Sequence, residues 1–154
     1  MKGNKFLIIG GMLSGVASLL HIAIIIGGPS WYRFFGAGEE MAQLAENGST
    51  YPIWITAFIA IILAFWSLYA FSGAGIITKL PLLKPALVVI TMIYLTRGFL
   101  GIPIVFIDHP YLNELKGEMT FMIVSSVISA SYGLIYLKGT MQIWSNDEIR
   151  NTKT

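Results

Sequence analysis

Arg97 stands in the middle of a largely apolar run from Ala86 to Ile107. A cation at the centre of a hydrocarbon-length segment costs roughly 2.5–3.5 kcal/mol on insertion scales, so it normally faces a bundle interior, a wet cavity or a partner. A guanidinium there suits bidentate recognition of an oxyanion. His21 is the second group with chemistry to offer, a titratable imidazole inside another apolar run, Phe6 to Ile26. No acid lies inside any apolar run. Glu39 and Glu40, between the first two runs, are therefore the expected counter-ions for Arg97. Asp108 is eleven residues from Arg97, roughly 16 Å along a helix axis, too far for a direct bond.

These groups need helices to position them, and the composition says in what solvent. The 154 residues are 55% hydrophobic and 12% charged, against about 25% charged in soluble domains. That deficit points to a membrane protein. Four stretches match the ~20 apolar residues that cross a bilayer: 6–26, 53–72, 86–107 and 119–137. Gly27-Gly28-Pro29 stops the first, Pro52 and Pro85 open the second and third, and Lys138-Gly139 ends the fourth. The first resembles a signal peptide with a poor cleavage site, but its length predicts an uncleaved helix. The expected fold is all-α, an integral membrane antiparallel four-helix bundle. It forms one domain over 1–154, with a polar cytoplasmic tail at 145–154.

Lysine and arginine set the orientation. Lys2 and Lys5 precede span 1, Lys79 and Lys84 lie between spans 2 and 3, and Lys138, Arg150 and Lys153 follow span 4. The other two loops carry more acid than base. Both termini are thus expected in the cytoplasm, with loop 1 extracytoplasmic. That loop, Gly27 to Tyr51, is long for a connection, and long ordered loops tend to be functional. It holds the aromatic run Trp31-Tyr32-Arg33-Phe34-Phe35 and a predicted short helix at 39–47, with Met41, Leu44 and Ala45 on one face. It reads either as an aromatic anchor on the membrane surface or as a lid over the bundle mouth.

Residues three and four apart share a helix face. Span 1 aligns Ser14, Ser18 and His21. Span 3 aligns Tyr94, Arg97 and Gly101. Span 4 aligns Ser125, Ser129, Tyr132 and Tyr136. Turned inward, these stripes make a partly polar interior. The plain reading of the serines is close packing and interhelical hydrogen bonding. At 1.5 Å per residue His21 lies on the order of 8 Å, and Arg97 on the order of 15 Å, below the extracytoplasmic ends of their spans. A snorkelling arginine closes most of that gap, and Pro103 frees a carbonyl at the mouth. The expected ligand-binding set is His21, Arg97, Tyr94, Glu39, Glu40, Trp31, Tyr32, Arg33, Ser18, Ser125 and Ser129.

Other chemistries are poorly supplied. There is no cysteine, which removes disulfide, thiolate-zinc and iron–sulfur ligation. One intramembrane histidine is too few for a membrane haem, and no metal-ligand spacing occurs. Phosphate-loop, nucleophile-elbow and dinucleotide motifs are missing. Neither a cofactor nor a nucleic-acid partner is expected. The stretch GGPSWYRFFGAGEEM, the YP opening span 2 and YLTRGFLGIP in span 3 resemble small uncharacterised four-span bacterial inner-membrane proteins. The resemblance covers most of the chain. It implies a compact bundle in the inner membrane and brings no activity with it.

The reading that follows is a binding protein holding a small amphiphile, lipid headgroup or anion in an outward-opening pocket. Membrane lipid is then a partner, and a homo-oligomer is compatible. One alternative is a membrane enzyme using His21 with Glu39 or Glu40 for acid–base work on a lipid-like substrate. Another is a passive subunit of a larger assembly. Four spans are few for a carrier.

Overall fold

A computed structural model describes residues 3–36, 38–106 and 119–151. Asp108 with the rest of the third loop, and the final residues 152–154, lie outside the described residues. Helix α1 (Lys5–Gly27) is capped by Asn4, whose side chain accepts from the Leu7 N–H. It ends at Gly28, where φ is +67°, a conformation that disfavours any residue with a Cβ. Pro29 then starts α2 (Pro29–Phe34) at once, because proline at a first helical turn gives up no bonded N–H. Helix α3 (Glu39–Glu46) follows, with both of its first residues acidic at the positive end of the helix dipole. The long helices α4 (Tyr51–Gly73), α5 (Leu83–Phe106) and α6 (Met119–Asn151) complete the set. No strand occurs among the described residues.

Helices α1, α4, α5 and α6 are long and apolar enough to cross a membrane. Three of them match the expected spans to within three residues at the described ends. The fourth does not. Lys138-Gly139 was expected to end it, and the helix continues to Asn151. Gly139 is buried, and a Cβ built there would lie 2.6 Å from the Leu7 side chain. Its glycine admits α1 rather than stopping α6. The 145–154 tail is correspondingly helical as far as Asn151. Helix α2 was not anticipated either, since a six-residue helix carries too little periodicity to read. In α3 the fully buried residue is Ala42, with Met41, Leu44 and Ala45 half-buried around it.

The helices pack in a consistent register. Between α1 and α6, Asn4 meets Gly139, Gly10 meets Tyr136 and Leu13 meets Tyr132. Between α1 and α4, Gly11 meets Ser67 and Ser18 meets Ala60. Between α5 and α6, Leu95 packs on Gly133 and Gly98 on Ala130. In each pair the numbers fall in one helix as they rise in the other. The core is narrow, centred on Leu7, Leu63, Leu87, Ile90 and Tyr136. Only 17% to 33% of each long apolar helix is buried, so most of its apolar surface faces outward, the kind of surface that marks contact with a membrane or another protein. Helices α2 and α3 cap one end, with Tyr32 buried between Ile24 and Ala42. Lys5, Lys79, Lys84 and Lys138 gather toward the opposite end.

Candidate functional site

The bundle centre holds a knot of three hydroxyls. Ser14 Oγ lies 3.0 Å from the Tyr94 hydroxyl and 2.8 Å from that of Tyr136. Tyr136 also reaches the carbonyls of Gly10, at 3.3 Å, and Trp66, at 3.2 Å. A carbonyl only accepts, so the Tyr136 proton goes there, and Tyr136 accepts from Ser14. The single Ser14 proton is then spent, and Ser14 accepts from Tyr94. Every proton has an acceptor, and the chain ties α1, α4, α5 and α6 together. The Trp66, Tyr132 and Tyr136 rings surround Tyr94 at centroid distances of 4.8, 5.4 and 5.5 Å. Tyr94, expected to bind a ligand, is committed to this knot.

Arg97 lies one turn nearer the capped end. Its neighbour Gly98 packs on Ala130, yet the guanidinium bonds Ser125 Oγ at 3.2 Å and contacts the Met122 sulfur at 3.5 Å. The side chain therefore climbs about 7 Å toward the cap, five residues of helix rise. Ser125 donates its own proton to the Met122 carbonyl, which leaves its oxygen free to receive Arg97. Arg97 is exposed, and among the described residues two of its five N–H donors are engaged. No carboxylate pairs with it among the described residues.

His21 stands at the same level. Leu13 meets Tyr132, so His21, eight residues further along α1, falls opposite positions 124–125 of α6. It is seven residues from Ser14, on the same helix face. Its Nδ1 lies 2.8 Å from the Ala17 carbonyl. Since that oxygen only accepts, Nδ1 carries the proton and Nε2 of the neutral ring is an acceptor. Ser125 is seven residues from Tyr132, and Ser129 lies between them on the same side, half-buried. No direct contact joins His21 to Arg97. Ser18 is spent on the α1–α4 seam, donating to the Ala60 carbonyl at 2.7 Å. A shallow apolar groove of about 200 Å³ runs along that seam, lined by Ser18, Ile22, Ala57, Ile61 and their neighbours. Arg97 and His21 do not line it.

The loop acids are not where the charge argument expected them. Arg33 Nε and Nη2 hold Glu39 at 2.8 Å each, and Nη1 and Nη2 hold Glu46 at 2.7 and 3.1 Å. This clamp fastens α2 to both ends of α3. Hydrogen bonds from Arg33 hold the Glu39 and Glu46 carboxyls below their usual range and raise the guanidinium in turn. Glu39 is thus taken by a nearer cation, and Glu40 is exposed. Trp31 lies over Gly27, and the buried Tyr32 hydroxyl has no partner among the described residues. Ser126 is a further fully buried polar residue of α6. Its buried hydroxyl, without a partner among the described residues, fills the notch at Gly101, and no spacing in the sequence marks it.

Among the described residues no cluster of three or more His, Asp or Glu could hold a metal. No protein-family model, curated protein or solved structure matches this chain.

Proposed function

We propose that this chain is an antiparallel four-helix bundle of the bacterial inner membrane that binds the anionic head of a small amphiphile or lipid at Arg97. The carrying observation is the exposed guanidinium, anchored by Ser125 and Met122, with no carboxylate on it among the described residues. Its other three N–H donors have no partner among the described residues and are offered to an oxyanion. The His21 Nε2 acceptor at the same level favours a head that also carries a donor, such as a hydroxyl beside a phosphate or carboxylate. The knot of Ser14, Tyr94 and Tyr136 forms a packed floor beneath. The opposed registers support the antiparallel arrangement. The described lysines gathered away from the cap support cytoplasmic termini.

The enzymatic alternative is weakened, because it needs a carboxylate on His21. Glu39 is engaged by Arg33 and Glu40 is exposed. The binding reading is tested by thermal unfolding in a neutral maltoside detergent with added dodecyl phosphate. Wild type should gain several degrees at saturation, since a ligand that binds only the folded state stabilises it. Arg97→Gln should gain nothing while unfolding normally without ligand. Equal gains for both proteins would reject Arg97 as the binding group.

A further inference from the structure

Helix α2 presents three different sides. Tyr32 is buried toward the bundle, and Arg33 is saturated by Glu39 and Glu46. The third side is aromatic. Trp31 and Phe35 are 5.5 Å apart and Phe34 meets Phe35 edge-on at 5.0 Å, yet Phe34 remains 82% exposed. Six residues cannot hold such a surface in water by helix propensity alone. Two observations identify what covers it. The aromatic side continues directly into the outward apolar surface of α1, because the Trp31 ring lies over Gly27 and Ile26 beside it is also exposed. The same level of the molecule carries exposed Tyr51 and Trp54 at the start of α4. Aromatic side chains at span ends are what a headgroup boundary selects. The only full charge on α2, Arg33, is meanwhile turned aside into the two carboxylates of α3.

We infer that the Trp31–Phe34 side of α2 is seated in the headgroup–acyl boundary of the bilayer, so that the α2–α3 cap is fixed to the membrane rather than swinging as a lid. The inference rests on α1 and α4 spanning a bilayer and is independent of any ligand at Arg97. Seating of this kind buries an apolar face roughly 5–10 Å deep.

The chain has no cysteine, so one introduced thiol is the sole site for a nitroxide label. Three variants reconstituted in phosphatidylglycerol–phosphatidylcholine vesicles suffice: Phe34→Cys, Glu40→Cys as the aqueous reference and Phe58→Cys as the deep-lipid reference. All three positions are exposed, so labelling disturbs little packing. The ratio of oxygen to nickel-chelate accessibility at position 34 should fall between the two references. A position 34 label as open to the chelate as position 40 overturns the proposal in favour of a solvent-facing lid. A label shielded from both reagents overturns it in favour of cover by a second protein chain. If position 58 is itself open to the chelate, the spanning premise fails instead, so the two failures are distinguishable.

Discussion

Ser14 has one proton and two tyrosine neighbours, and the direction in which that proton points ranks the substitutions around it. Tyr136→Phe strands the Ser14 proton, whereas Tyr94→Phe removes only a donor and leaves an oxygen that tolerates its loss. Tyr136→Phe should therefore cost about 1 kcal/mol and Tyr94→Phe less, on the scale of hydrogen bonds between membrane helices. Ser126→Ala should be neutral or stabilising, because it removes a buried hydroxyl with no partner among the described residues. Reversible unfolding in mixed detergent micelles checks all three. Equal losses for the two tyrosines would contradict the proton order. At this scale the sequence was informative about type and poor about partners. The stripes of Ser14, Tyr94 and Tyr136 could be read from spacing alone. That they would meet each other, while Arg97 took Ser125, depends on the relative heights of four helices, which periodicity does not encode.

Helices meet where glycine lets them. A Cβ at Gly98 would lie 2.5 Å from the Ala130 backbone nitrogen, and backbone cannot step aside as a side chain can. Gly98→Ala should push α5 and α6 apart and cost roughly 1–3 kcal/mol, the range for overpacking. Gly15→Ala, whose Cβ would meet only the Ser67 side chain, its hydroxyl at 3.3 Å, should cost less in the same unfolding assay. The cap makes a different prediction, in pH. Its carboxyls are held below their usual range, so the clamp persists where a free glutamate already protonates, near pH 4.3. The contribution is complete above that pH and disappears as pH falls through the lowered values. A nitroxide on Glu40→Cys should keep its mobility from pH 7 to 5 and gain it at lower pH. Arg33→Gln should remove the transition. Three of the spans, and the described start of the fourth helix, were readable from length and hydropathy. Lys138-Gly139 misled because the same glycine that ends a helix in water admits a neighbour inside a bundle. The capture of Glu39 by Arg33 was hidden because it required α2, a helix too short to announce itself.

The molecule as a whole is polarised. Lys5, Lys79, Lys84 and Lys138 gather at one end, aromatic side chains and the Arg33–Glu39–Glu46 clamp at the other, and the Arg97 guanidinium, with no carboxylate on it among the described residues, lies between them, nearer the cap. A chain built only to pack would gain by replacing that cation with a leucine. Keeping Arg97 exposed beside Ser125 carries a desolvation cost in a bilayer that an anionic head would offset. The most direct measurement is native mass spectrometry of the chain released from micelles containing dodecyl phosphate and, separately, an uncharged dodecyl glycoside. The account predicts a one-to-one dodecyl phosphate adduct on wild type and none with the glycoside. In Arg97→Gln the adduct should weaken at least about tenfold, the minimum for losing one charge-assisted hydrogen bond. An adduct of equal strength on both proteins would contradict it.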